Sequence, residues 1–205
     1  MKIKIGISAV CLLALAFVCA SVPASADPVV YDNTGTGTYT TNAWSIFSTD
    51  SVTDSFTLST SMTVEGANFY AWFYPDDMLT SVNWAITDSA YGAVLASGTA
   101  SGGPNTQVGT AFGYYSIDEE SISIPGVALA AGTYYFELTG AQDGYDTGVW
   151  WDESDGPSTA FDATVGQIPS ETFQITATPE PSSFLLLGPG MLLLAGLAMR
   201  RKLLA

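Results

Sequence analysis

An all-β fold, a single antiparallel β-sandwich of jelly-roll type, is predicted by three features of the sequence. Between Val29 and Ala177 the chain is a series of short apolar and polar alternations broken by Gly, Pro, Asp, Asn and Ser. The alternation has a period of two, and no stretch sustains the period of an amphipathic helix. Thr, Ser, Val, Tyr, Phe and Trp dominate these runs, which suits a half-buried pleated surface. About nine to eleven runs recur at spacings of about 8 to 12 residues, the pattern of a sandwich rather than of βαβ units.

In chain order, Phe56-Thr57-Leu58 is an early strand. Residues 67–74, Ala-Asn-Phe-Tyr-Ala-Trp-Phe-Tyr, are apolar or aromatic on both faces over most of their length, which predicts a central strand. Residues 82–86 are expected to pair with it across a turn at Pro75-Asp76-Asp77. The Gly-, Ser- and Thr-rich segment 96–109 reads as a long hairpin loop or a sheet edge. Ile122-Ser123-Ile124 and residues 134–138 are strands, and residues 128–131 are the one place where a helical turn fits. A last strand, 171–177, follows Ile168-Pro169-Ser170. Residues 129–136 resemble a turn-and-strand element common in exported bacterial β-sandwich modules, a likeness of fold style and not of activity.

Two hydrophobic segments flank this domain. Residues 1–26 have the three parts of a secretory signal: Lys2 and Lys4, an apolar stretch, and the small-x-small site Ala24-Ser25-Ala26 before Asp27. Cleavage after Ala26 is expected. The alternative is an uncleaved anchor helix, against which the apolar core is shorter than the ~20 residues of a usual span. The only cysteines, Cys11 and Cys19, lie in this segment, so the mature domain is expected to have neither a disulfide nor a thiol. Ala16-Phe17-Val18 lacks the small residue that a lipidated Cys19 would need beside it.

The second segment, 182–199, has eighteen residues without a charge and is followed by Arg200-Arg201-Lys202. As a helix of about 27 Å it nearly matches a ~30 Å hydrocarbon core. A transmembrane span with its basic flank in the cytoplasm is predicted, and the signal-peptide lysines give the same topology. Ahead of it stand Thr178-Pro179-Glu180-Pro181. That motif, an apolar span, a basic stop and an N-terminal signal together resemble the PEP-CTERM sorting signal. The resemblance covers 178–205 and implies an exosortase, an integral-membrane cysteine transpeptidase-like enzyme, that cuts near Pro179, Glu180 and Pro181 and frees the domain for the envelope or extracellular matrix. It also implies company with exopolysaccharide production. A plain C-terminal anchor is the alternative.

Charge narrows the function. The basic residues are Lys2, Lys4, Arg200, Arg201 and Lys202, whereas all twenty acidic residues lie between Asp27 and Glu180, an interval without Lys, Arg or His. Such a domain repels phosphate backbones, so nucleic acid is excluded as a partner and cations are the plausible ionic ones. It is expected to fold, because the same interval holds all five Trp, all ten Tyr and eight of the ten Phe. Without His, Cys or Lys it can build neither a Ser-His-Asp or Cys-His site nor a Schiff base. Carboxylate chemistry remains, with Glu65, Glu137 and Glu153 conceivable members of a glycosidase pair. No motif groups them, and no catalysis is expected.

The densest local feature is Asp143-Gly144-Tyr145-Asp146 followed by Val149-Trp150-Trp151-Asp152-Glu153-Ser154-Asp155-Gly156-Pro157-Ser158. Asp152, Glu153 and Asp155 could supply oxygens to Ca²⁺, although the spacing is not that of an EF-hand. The plain reading is an acidic turn anchored by a core tryptophan. If Trp150 and Trp151 lie on a strand they point to opposite faces, and the outward one could stack on a neutral polysaccharide. The expected role is therefore an exported structural, adhesive or binding protein, with a carbohydrate-binding module as the alternative and a small glycosidase behind it.

Overall fold

Fourteen strands, whose apolar residues alternate as the period-two pattern requires, form two antiparallel sheets with no helix among the described residues. The structure, a computed structural model, describes residues 28–35, 41–103 and 105–179. The signal sequence with Ala24 and Ala26, the motif residues Glu180 and Pro181, the span 182–199 and Arg200, Arg201 and Lys202 lie outside the described residues.

The strands are β1 (Val29–Asp32), β2 (Ala43–Ser45), β3 (Ser51–Leu58), β4 (Met62–Phe73), β5 (Leu79–Thr87), β6 (Val94–Ser101) and β7 (Thr106–Ala111). They continue with β8 (Tyr115–Leu129), β9 (Gly132–Asp143), β10 (Trp150–Ser154), β11 (Ala160–Asp162), β12 (Gly166–Ile168), β13 (Ser170–Glu171) and β14 (Phe173–Pro179). The six-stranded sheet runs β12-β11-β3-β9-β5-β6. In the eight-stranded sheet β4 is central: β8 pairs along one side of it, and β14 and β10 share the other.

The two sheets bury one core between them. Phe69, Ala71, Phe73, Trp151, Phe173 and Ile175 of the larger sheet face Val52, Phe56, Ile86, Phe136 and Leu138 of the smaller. Rings interlock across the gap: Phe136 lies 5.8 Å from Trp151, edge to face, and 5.9 Å from Phe173, stacked. Aromatic contacts of this kind add about 0.5 to 1.5 kcal/mol each beyond area burial.

Three connections differ from the sequence expectation or resolve it. Residues 82–86 do not pair with 67–74; they lie in β5, between β6 and β9 of the opposite sheet. The turn is the reason. Asp77 N donates to Tyr74 O at 3.2 Å with Asp76 at φ 66°, which fits a tight turn with Pro75 at its first corner. Asp77 then accepts from Gly144 N at 2.8 Å and from Thr147 Oγ1 at 2.9 Å, which ties the turn to the end of β9 and sends the chain across. Residues 128–131 form no helical turn. Strand β8 crosses there to β9, and the Tyr134 hydroxyl donates to Ala130 O at 3.1 Å, a tyrosine holding its own corner. Segment 96–109 is two edges: β6 borders the smaller sheet, and β7 pairs with β8 alone. The crossing between them runs close to the backbone, since a side chain at Gly102 would collide with Leu79 O.

Candidate functional site

Alternation on β4 sends Phe69, Ala71 and Phe73 inward and so turns Tyr70 and Trp72 to the outer side of the larger sheet, where Tyr74, just past the strand end, packs on Tyr115 and Trp150. The neighbours match. Trp72 pairs with Ile117 of β8 and with Trp150 of β10, which places all three on that outer face. Trp72, Ala111 and Ile117 form a small second core, with Tyr70, Val108, Tyr115 and Trp150 packed against it.

The hairpin from β7 to β8 completes the face. Its tip, Phe112 at φ 52° and Gly113 at φ 66°, has positive φ at both positions, as a two-residue hairpin turn favours. Phenylalanine is a poor fit to that conformation. The consequence is that Phe112 is 73% exposed and Tyr114 55% exposed, both beside the buried aromatics. Ring centroids are 5.7 Å apart for Trp72 and Phe112, 5.1 Å for Tyr74 and Tyr115, 5.7 Å for Tyr115 and Trp150, and 5.7 Å for Tyr74 and Tyr114. A continuous aromatic surface results, partly open to solvent.

Each residue of the tryptophan and acid loop has a definite place. Trp151 points inward, is fully buried, and donates from Nε1 to Thr172 O at 2.9 Å. Trp150 points outward and is half-buried in the aromatic face. Asp152 lies under that face, where its Oδ1 accepts from Trp72 Nε1 at 2.5 Å and its Oδ2 from Thr172 Oγ1 at 3.3 Å. Burial pushes its pKa up to about 7 against the pull of those two bonds. Glu153 accepts from Trp44 Nε1 at 2.7 Å and Asn42 Nδ2 at 2.6 Å, while Asp155 packs against Gly35. The three acids thus go to three surroundings, and among the described residues no group of three or more His, Cys, Asp and Glu side chains is placed to hold one metal ion together. Glu65, Glu137 and Glu153 stand on β4, β9 and β10, with Glu137 accepting from Ser51 Oγ at 2.8 Å.

Sequence reasoning missed that acids fill the interior. Asp54, Asp77, Asp118, Glu120, Asp143, Asp152 and Glu171 are all buried. Asp143 is satisfied locally: burial raises its pKa, but bonds from Gly148 N, Thr147 Oγ1 and Thr147 N outweigh that and leave it lowered. Asp54 and Glu171, from opposite sheets, meet at another point of the interior. Asn33 Nδ2 is ringed there at 2.6 Å by Ser158 Oγ, Ser170 Oγ and Glu171 O, and Asp54 Oδ2 accepts from Glu171 N at 2.7 Å. Burial raises Asp54 to about 6 and Glu171 well above the usual range. The Asn33 amide reaches Asp54 Oδ2 only at 3.5 Å, and neither carboxylate oxygen of Glu171 has a hydrogen-bond partner.

The aromatic face was only half visible in the sequence. Trp72-x-Tyr74 and the Tyr114-Tyr115 pair beside Phe112-Gly113 carried the signal, but the strand register that gathers them is a long-range property. No protein-family model and no curated protein matches this chain.

Proposed function

We propose that the chain is an exported binding protein of the cell envelope or extracellular matrix that holds neutral polysaccharide on the aromatic face of its larger sheet and carries out no catalysis. The observation that carries this reading is the partly open surface of Trp72, Tyr74, Phe112, Tyr114, Tyr115 and Trp150. Sugar rings present apolar C–H faces that stack on such rings, while nearby carboxylates and amides accept from their hydroxyls. The charge supports neutrality of the ligand: between Asp27 and Glu180 there is no cation to pair with an anionic glycan.

In the same proposal, 1–26 is a cleaved signal helix, 27–177 a jelly-roll-like sandwich, and 182–199 a transmembrane helix whose Arg200-Arg201-Lys202 end stays in the cytoplasm. An exosortase-type enzyme releases the domain at Pro179-Glu180-Pro181. Strand β14 runs to Pro179, which pairs with Met62, so the cleavage motif abuts the fold without a linker. Changing these three residues to alanine in cells that have the sorting enzyme should leave the protein in the membrane fraction, with the parent found at the surface or in the medium. Equal partitioning of the two would overturn the sorting part.

A further inference from the structure

Strand β8 carries a second feature that the polysaccharide reading does not use. Ser116, Asp118 and Glu120 pair with Phe73, Ala71 and Phe69, so all three point to the inner side of the larger sheet. Ser116 and Asp118 line a solvent-open cavity of about 460 Å³, together with Asp76, Asp77, Asn105 and Tyr114 among others. Glu120 stands two residues deeper on the same face and is 0% exposed. Neither of its carboxylate oxygens has a hydrogen-bond partner, and Asp118 Oδ1 has none either. Asp118 Oδ2 accepts from Asn105 Nδ2 at 2.7 Å.

Buried carboxylate oxygens without partners are costly, and their usual remedy is an ion pair or a metal. No cationic side chain exists anywhere between Asp27 and Glu180 to supply one. The remedy must come from solution, as water, a proton or a metal ion. Three hard oxygens on two adjacent carboxylates, beside a cavity with room for water, suit Ca²⁺, which takes about six to eight oxygens and accepts bidentate carboxylates with water completing the shell. Mg²⁺ is a poorer fit, since it demands near-ideal octahedral geometry and keeps its waters.

We propose that Asp118 and Glu120, with Asn105 and water of the adjoining cavity, form a Ca²⁺ site between β7 and β8. The site stands apart from Asp152, Glu153 and Asp155 and does not depend on the polysaccharide reading. With two protein carboxylates its dissociation constant belongs in the range of extracellular modules, about 10⁻⁴ to 10⁻³ M. Bound Ca²⁺ displaces the proton that burial and the neighbouring Asp118 otherwise keep on Glu120.

The test uses the full chain in nonionic detergent with Tb³⁺ as the probe, whose luminescence is sensitised by Tyr114 in the cavity wall. The expected result is a saturable signal that millimolar Ca²⁺ displaces, that weakens about tenfold or more in Glu120→Gln, and that is unchanged in Asp152→Asn with Asp155→Asn. Melting in EDTA checks that Glu120→Gln folds, and Asp118→Asn serves in its place if it does not. An equal signal in both carboxylate variants overturns the site, as does displacement by Mg²⁺ or NaCl as effective as by Ca²⁺ at matched ionic strength, which is diffuse screening. Loss of signal in the Asp152 and Asp155 variant moves the ion to that loop and overturns it as well.

Discussion

Phe112 shows at the scale of one residue how the fold trades local fit for an exposed ring. A bulky side chain at φ 52° costs about 1 kcal/mol or more, which asparagine or glycine would avoid. Its ring instead meets Trp72 edge to face and stays 73% exposed. Phe112→Asn should therefore leave the melting temperature unchanged or raise it, by up to about 1 kcal/mol in stability, while weakening polysaccharide retention. A loss of stability with retention intact would make the ring a structural element only. That Trp150 and Trp151 point opposite ways follows from the pleat once they lie on a strand, as they do in β10. Which of them faces out did not follow, since it depends on the pairing of Trp151 with Ala71 and Trp44. Nor did the sequence show that Asp152 is held by Trp72, eighty residues away.

Strands themselves were legible at the scale of elements because alternation is local, and residues 56–58, 82–86, 122–124, 134–138 and 173–175 all lie in strands. Partners were not. Pro75-Asp76-Asp77 looks like a hairpin turn, yet Asp77 takes its hydrogen bonds from Gly144 and Thr147 near the other sheet, and the chain crosses. The β8 to β9 crossing has a comparable device in Tyr134. Tyr134→Phe should cost about 1 kcal/mol by denaturant melting, the worth of one such bond, without changing the aromatic face. A change below about 0.3 kcal/mol would mean that ring packing against Phe56, at 5.8 Å, holds the corner alone.

The charge pattern decides the behaviour of the whole molecule. Composition showed a polyanionic domain but suggested solvated carboxylates, whereas seven acids are buried, because only tertiary packing tells which side of a strand is covered. Asp54 is raised to about 6, Asp152 to about 7 and Glu120 to about 8, each chiefly by burial. These groups hold protons in the folded state that the unfolded chain releases near pH 4. Their contribution is complete below that pH and is lost as pH rises through about 6 to 8. Asp32 and Asp143, with lowered pKa, act in the opposite sense at the acid end. In EDTA the melting temperature should be highest near pH 4 to 5 and fall by about 5 °C or more toward pH 8. A melting temperature that rises over that interval would show that the buried acids are paired in a way the structure does not contain.

The central claim, that the outer aromatic face holds neutral polysaccharide, is tested most directly by affinity electrophoresis. The full chain in nonionic detergent is run through gels containing a neutral glucan, mannan or xylan. The account predicts retardation by at least one of them, abolished in Phe112→Asn with Tyr114→Ala, two exposed positions whose change leaves both cores intact. Free migration of the parent in every gel, or equal retardation of parent and double variant, would contradict it.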